Sequence, residues 1–278
     1  MAQAKPIAER ALLVSLNISQ WQARKRDKRV TNEVVKTNEA SAAAGNFNKS
    51  LLPRDTLAEI TKVVSEAREL QATMSLTWGE TGERILPASL FETYSNKMQD
   101  LRIKFEAQVD NFVASYPTFV QQARKELGKM YDPADYPPDV RHKFGFKVSV
   151  VPLPTTDDFR VTLSTEHVDQ IKAELIREYD ERQQRMIKEC YSRAKEVVAR
   201  ISERCNAKDS KIYDSLMGNA RELVALLPAL NITGDPAITQ LAADIDEMLV
   251  PTSRLKNDKG LRRVVANKAD DILARMNW

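Results

Sequence analysis

Apolar and polar positions alternate along Lys143-Phe-Gly-Phe-Lys-Val-Ser-Val-Val151, near the middle of the chain. Phe144, Phe146, Val148 and Val150 share one face, and Gly145, Lys147 and Ser149 the other. A period of two predicts a strand. A second strand is expected at Phe159–Leu163, beyond a turn-like link that carries Pro152, Pro154, Asp157 and Asp158. A third is expected at Ala11–Ser19, where Leu12, Val14, Leu16 and Ile18 alternate with Leu13, Ser15, Asn17 and Ser19. Because a two-stranded hairpin is marginal alone, residues 11–19 are expected to pair with it and tie the N-terminal region to mid-chain.

Elsewhere the pattern is helical. Leu57, Ile60, Val64, Ala67 and Met74 line a helix that starts near Pro53 or Asp55 and breaks at Trp78–Gly82. Leu90, Tyr94, Met98, Leu101, Phe105, Val109, Phe112 and Tyr116 form one continuous helical face. Pro117 is expected to interrupt it, with a shorter helix running on to about Met130 and a loop at Tyr131–Pro138. From Thr165 to Cys205 there is no Gly or Pro, and apolar residues recur every eleven positions: Val168, Tyr179, Cys190 and Ile201, or Ile176, Ile187 and Val198. That period predicts one nearly straight helix of roughly 60 Å, used either as an oligomer contact or in an αα-hairpin within the chain. Three more helices are expected. The first is lined by Ile212, Leu216, Ala220, Leu223 and Leu227 and stopped by Pro228; the second is capped by Asp235-Pro236; the third runs from about Asp258, after a loop over Pro251–Gly260. The fold class is therefore α+β and predominantly α-helical. A small antiparallel sheet of about three strands would join an N-terminal region, residues 1–163, to a C-terminal helical region, residues 164–278.

Composition narrows the functions. Charged residues make up 29% of the 278, aromatics 6%, and there are only eight glycines, which suits long helices with solvated faces. The net charge is +3, so a nucleic-acid site would have to arise from local clustering. No apolar run approaches a membrane span, and Met1–Arg10 has no signal-peptide core. Cys190 and Cys205 lie roughly 22 Å apart on one predicted helix, too far for a disulfide, which fits reduced thiols and a cytoplasmic location. Catalytic patterns are missing. His142 and His167 are the only histidines and belong to no metal-ligand spacing. Gly79 and Gly82 lack the Lys-Ser/Thr of a phosphate loop. Carboxylates mostly alternate with Lys and Arg at helical spacing, as in Glu174–Arg182, the pattern of a solvated face. A non-enzymatic protein without cofactor or metal is expected.

Two basic clusters remain. Arg24, Lys25, Arg26, Lys28 and Arg29 crowd around Asp27, next to Trp21 and ahead of a small, polar stretch, Ser41–Ser50, expected to be a mobile loop. Arg254, Lys256, Lys259, Arg262, Arg263 and Lys268 face Asp258 alone. Either cluster can be a solvated helix start. As binding surfaces, the cations would follow the phosphates of single-stranded DNA while the Trp21 indole stacks on a base. The sheet is a poorer platform, because its polar face would show Ser15, Asn17, Lys147, Ser149, Arg160 and Thr162 but no aromatic.

The order of Leu13–Trp21 followed by Arg24-Lys25, Ser50-Leu-Leu-Pro53, Trp78-Gly79, Ser115-Tyr-Pro117 and Lys143–Val148 resembles a domain family of unknown function from bacteriophages and bacteria, over about residues 10–163. The resemblance carries no active-site motif. It implies association with AAA+ ATPases and von Willebrand-type proteins, and hence the alternative of a non-enzymatic helical adaptor or scaffold working with an ATPase or with further copies of itself. In size, basicity and helical content the chain is also similar to the single-stranded-DNA-binding RNA polymerase cofactor of podophages. That likeness implies a phage protein that holds melted promoter DNA and recruits the phage RNA polymerase, or acts in replication, in the host cytoplasm.

Overall fold

A computed structural model describes residues 7–80, 82–154, 165–207 and 211–276. In chain order, a one-turn helix α1 (Ile7–Arg10) leads into strand β1 (Ala11–Ser19), strand β2 (Arg24–Arg26), helix α2 (Lys28–Thr37), strand β3 (Asn48–Ser50) and helix α3 (Ala58–Met74). Strands β4 (Leu76–Thr77) and β5 (Arg84–Pro87), helix α4 (Phe91–Leu127) and strand β6 (Gly145–Pro152) follow. The remaining helices are α5 (Thr165–Asn206), α6 (Asp214–Leu230), α7 (Pro236–Asp246), α8 (Thr252–Asn257) and α9 (Lys259–Arg275). The architecture is α+β and predominantly helical, with a four-stranded sheet in the order β4-β5-β1-β6 and a separate β2-β3 pair.

Strand 11–19 has its expected bounds and pairs with β6 as its alternation requires. The strand expected at 159–163 lies outside the described residues. In the described sheet the additional members are β4 and β5, which are too short for a period of two to show. Of the Trp78–Gly82 stretch, expected only to break a helix, Trp78, Gly79 and Gly82 lie between the strands of the β4–β5 hairpin. The Trp78 and Gly79 amides both donate to the Glu83 carbonyl at 3.1 and 3.3 Å, and Gly82 takes φ +89°, where a Cβ would be strained.

Pro117 does not interrupt its helix. It sits inside α4, which runs unbroken for 37 residues. A proline there removes one backbone donor, but Phe112, Tyr116 and Ala123 are buried on either side of it, and that packing holds the helix together. Pro228 likewise lies inside α6, which ends two residues later at Leu230. Residues 251–260, expected as a loop, contain α8, and Ser41–Ser50 is not all loop: its last three residues form β3. The helix expected from Pro53 or Asp55 begins at Ala58, after turns in which Asp55 takes φ +67°.

The chain divides into two compact units that interleave along the sequence. One unit comprises the described residues up to Ser15, Ala72–Tyr94, and those from Ser149 onward; the other comprises Leu16–Gln71 and Ser95–Val148. In the first, β1 opposes β5 with Leu13 on Ile85, and β5 opposes β4 with Ile85 on Leu76. All three side chains are buried. The 42-residue α5 is uninterrupted, as its period predicted. Met186, Cys190, Ala194, Val198, Ile201 and Cys205 repeat at steps of three and four on its buried face. Against this face and each other pack the apolar rows of α6, α7 and α9, where Ala266 and Ala269 are fully buried. Nearer the start of α5, Tyr179 meets Trp78 edge-on at 5.1 Å and the Arg182 guanidinium lies over the same indole. Both cysteines are free and buried, and burial pushes the Cys190 thiol up to about 11, so neither is an activated nucleophile.

In the second unit, Ile60, Val63, Val64 and Ala67 of α3 and Met98, Leu101, Phe105, Val109 and Phe112 of α4 form the apolar core. Phe146 packs on Phe105 at 5.6 Å and Phe144 on Phe112 at 5.4 Å, so both rings lie on the core side as expected. Gly145 between them is required by close approach: a Cβ there would sit 2.8 Å from the Ser19 hydroxyl oxygen.

Candidate nucleic-acid interface

The first basic cluster is a strand and a helix start within the second unit. β2 pairs antiparallel with β3 in the register Arg24 on Ser50, Lys25 on Lys49 and Arg26 on Asn48. Beyond Arg26, the Asp27 amide donates to the Phe47 carbonyl at 2.9 Å. Asp27 caps α2, its carboxylate accepting the Val30 amide at 3.1 Å. That bond, more than the nearby charges of Lys49 and Arg29, holds the Asp27 carboxyl below its ordinary range. Thr31 locks the corner by donating its hydroxyl to the Asp27 carbonyl at 2.6 Å and accepting the Phe47 amide at 3.1 Å.

The register sets two ammonium groups directly opposite one another, which alone would destabilise the pair. Asp135 resolves the conflict. Its carboxylate, 1% exposed, bonds Lys25 and lies 2.7 Å from Lys49, which is 7% exposed and also donates to the Met130 carbonyl at 2.6 Å. Burial by itself would raise the Asp135 carboxyl. The two lysines outweigh it and hold its pKa below the usual range, while Asp135 raises that of Lys25. Asp135 is presented by a short turn, Pro133–Asp135, which Asp132 caps by accepting the Ala134 amide at 3.0 Å.

Strand alternation puts Arg24 and Arg26 on the face away from Lys25. Arg24, Arg26 and Lys28 are exposed and make no ion pair among the described residues. Arg29 gives one nitrogen to the Lys129 carbonyl at 3.1 Å. The first turn of α2 holds no acid and two cations, Lys28 and Arg29, although the field of a helix disfavours positive charge at that end. Lys25, Arg26, Lys28, Arg29, Lys49 and Lys129, with Asp27, Asp132, Asp135, Met130 and Tyr131, line a recess of about 260 Å³.

Trp21 does not stand free beside these cations. It is half-buried and meets the buried Tyr116 edge-on at 5.9 Å, so part of its surface is engaged in packing. Trp21→Ala is expected to cost about 1–2 kcal/mol of stability, seen as a lower urea midpoint, because it removes an aromatic pair and part of a packed surface.

The second cluster belongs to the first unit. Arg262 donates to the Leu255 carbonyl and, at 2.9 Å, to the Lys256 carbonyl, satisfying the end of α8. Lys256 pairs with Asp214 at 2.9 Å. Arg254, Lys259 and Arg263 are exposed. Part of this cluster is thus engaged in holding α8 and α9, which only the fold reveals. Sequence reasoning missed Lys49, Lys129, Tyr131 and Asp135. Only the capped turn Asp132-Pro-Ala-Asp135 left a local trace, and nothing in it points to residues a hundred positions earlier.

Among the described residues no three potential ligands cluster as a metal site, and no helix is long and apolar enough to cross a membrane. No curated protein and no solved structure matches the chain. A family model described as a protein of unknown function, DUF3150, matches residues 8–212 and so takes in the whole basic recess of the second unit, and the chain belongs to that family.

Proposed function

We propose that the protein binds single-stranded DNA without sequence preference, along the rim formed by Arg24, Arg26, Lys28 and Arg29. The observation that carries this is the excess of positive charge at the head of α2: two cations where the helix field disfavours them, set against the Asp27 cap alone, beside two more on a short strand. Proteins that break a local rule of this kind often do so at a functional site. Phosphates placed there would meet donors held by a hairpin and a capped helix, with Lys25 and Lys49 behind them already occupied by Asp135. Such binding fits a phage transcription or replication factor that recruits a polymerase to melted DNA.

With about four phosphates neutralised, log affinity should fall against log salt with a slope near −3. The Arg24→Ala/Arg26→Ala/Lys28→Ala variant should keep its melting temperature and lower that slope to about −1, weakening all sequences alike. Undiminished affinity in this variant, or no binding by the intact protein at low salt, would refute the reading.

A second reading rests on α5. Ile176 is 53% exposed on this helix, as a docking residue of an adaptor would require, although the same row turns into the core eleven and twenty-two residues on, at Ile187 and Val198. Sedimentation of the intact protein against Ile176→Glu tests it. An unchanged monomer in both, with no retention of an AAA+ partner, would remove the adaptor.

A further inference from the structure

The aromatic ring that the cationic recess presents is Tyr131, not Trp21. Tyr131 is half-buried, lines the recess with Arg26, Lys28 and Lys129, and stacks on Tyr136 with 5.2 Å between centroids and 28° between planes. Tyr136 is half-buried with its hydroxyl out of solvent, so packing places this second ring. One face of the Tyr131 ring is therefore backed by a second ring. Over the ring the exposed Arg124 guanidinium stands 5.9 Å from its centre, at the outer limit of a cation–π contact. It can move aside at little cost.

A partly exposed ring in a recess where six cations outnumber Asp27, Asp132 and Asp135 has the two parts that a nucleotide unit needs: positive charge for the phosphate and a flat apolar surface for the base. Resting on the phosphate-binding reading above, we propose that Tyr131 is the base-stacking residue of this site and that Arg124 covers the base from outside. The recess then takes one unstacked nucleotide. Duplex DNA, whose bases are stacked on one another, offers no such face, so Tyr131 supplies the preference for single strands that charge alone does not. A packing role for Tyr131 would instead leave binding indifferent to the bases.

The test compares an oligothymidylate of about twelve nucleotides with an abasic strand of the same length, which keeps the phosphates and lacks the bases. Binding of each to the intact protein, Tyr131→Phe and Tyr131→Leu is followed by fluorescence anisotropy at low salt. The intact protein should prefer the base-bearing strand by about tenfold. Tyr131→Phe should keep that preference. Tyr131→Leu should lose it while holding the abasic strand as before, with an unchanged salt slope. Equal affinity of the intact protein for both strands overturns the role of Tyr131 and leaves phosphate binding standing; no binding of either strand overturns both. Should Tyr131→Leu fail to fold, the preference of the intact protein, kept by Tyr131→Phe and weakened in Arg124→Ala, decides in favour, and its absence decides against.

Discussion

Asp135→Ala is expected to destabilise the second unit by about 3 kcal/mol, the usual cost of leaving one partner of a buried pair alone. Lys49 is buried, stands opposite Lys25 across the β2–β3 pair, and has Asp27 only at 3.8 Å as a remaining anion. Without Asp135 its charge keeps the Met130 carbonyl and loses its carboxylate. The strand pair that presents Arg24 and Arg26 should loosen first. Amide exchange in β2, β3 and the start of α2 should quicken, with little change in α6, α7 and α9 of the other unit. The same carboxylate gives a pH signature. Its pKa is lower in the folded chain than in the unfolded one, so its stabilisation is complete above the ordinary carboxylate range of about 4 and is lost as pH falls through the folded value. Intact protein should therefore lose more stability between neutral pH and acid than Asp135→Asn does. Equal midpoints for intact and Asp135→Ala protein at pH 7 would show that the triad contributes nothing.

The Lys25–Lys49–Asp135 triad also shows where the sequence stopped being informative. The density of charge at 24–29 is visible in one dimension, and so is the alternation that makes β1 and β6 strands. What divides the five cations into structural and available ones is the register of β2 on β3 and the arrival of Asp135 from 110 residues away. No local period encodes either. The long helices were legible because burial of one face repeats over many turns, as from Met186 to Cys205. Short strands such as Leu76–Thr77 carry too few residues for a period. Pro117 misled for a different reason: its local cost is real, but the core on both sides of it outweighs the loss of one hydrogen bond. The same asymmetry governs the aromatics. Trp21 stands out in sequence because of its neighbours, yet Tyr116 claims its ring, while Tyr131 lies in an unremarkable loop and reaches the recess.

Glu189→Ala should cost about 2–3 kcal/mol, between the values for exposed and buried pairs because all three partners are largely but not wholly covered. Glu189, on α5, accepts the Thr77 amide at 2.8 Å and bonds Arg193 at 2.6 Å and Arg84 at 3.2 Å. The two guanidiniums in turn satisfy the end of α3. Arg193 donates to the carbonyls of Ala72, Thr73 and Ser75, and Arg84 to the Ser75 carbonyl and hydroxyl. The Ala72 and Thr73 carbonyls belong to the last turn of α3, where no further helix amide follows to bond them, so the cluster joins the end of α3, the β4–β5 hairpin and α5 inside the first unit. Burial would raise the Glu189 carboxyl, but the Thr77 amide and the two arginines bring it below its usual range. Its contribution is thus full above about pH 4–5 and fades as pH falls through the folded value. Removing the carboxylate leaves two largely covered guanidiniums side by side with the Thr77 amide unpaired. Glu189→Gln, which keeps an oxygen for that amide, should lose only about half as much as Glu189→Ala. Thermal melting at pH 7 separates the cases. A Glu189→Gln variant as unstable as Glu189→Ala would mean that charge alone holds the cluster, and two variants that melt like the intact protein would mean that residues 72–75 and α5 are joined within the first unit by packing rather than by these bonds.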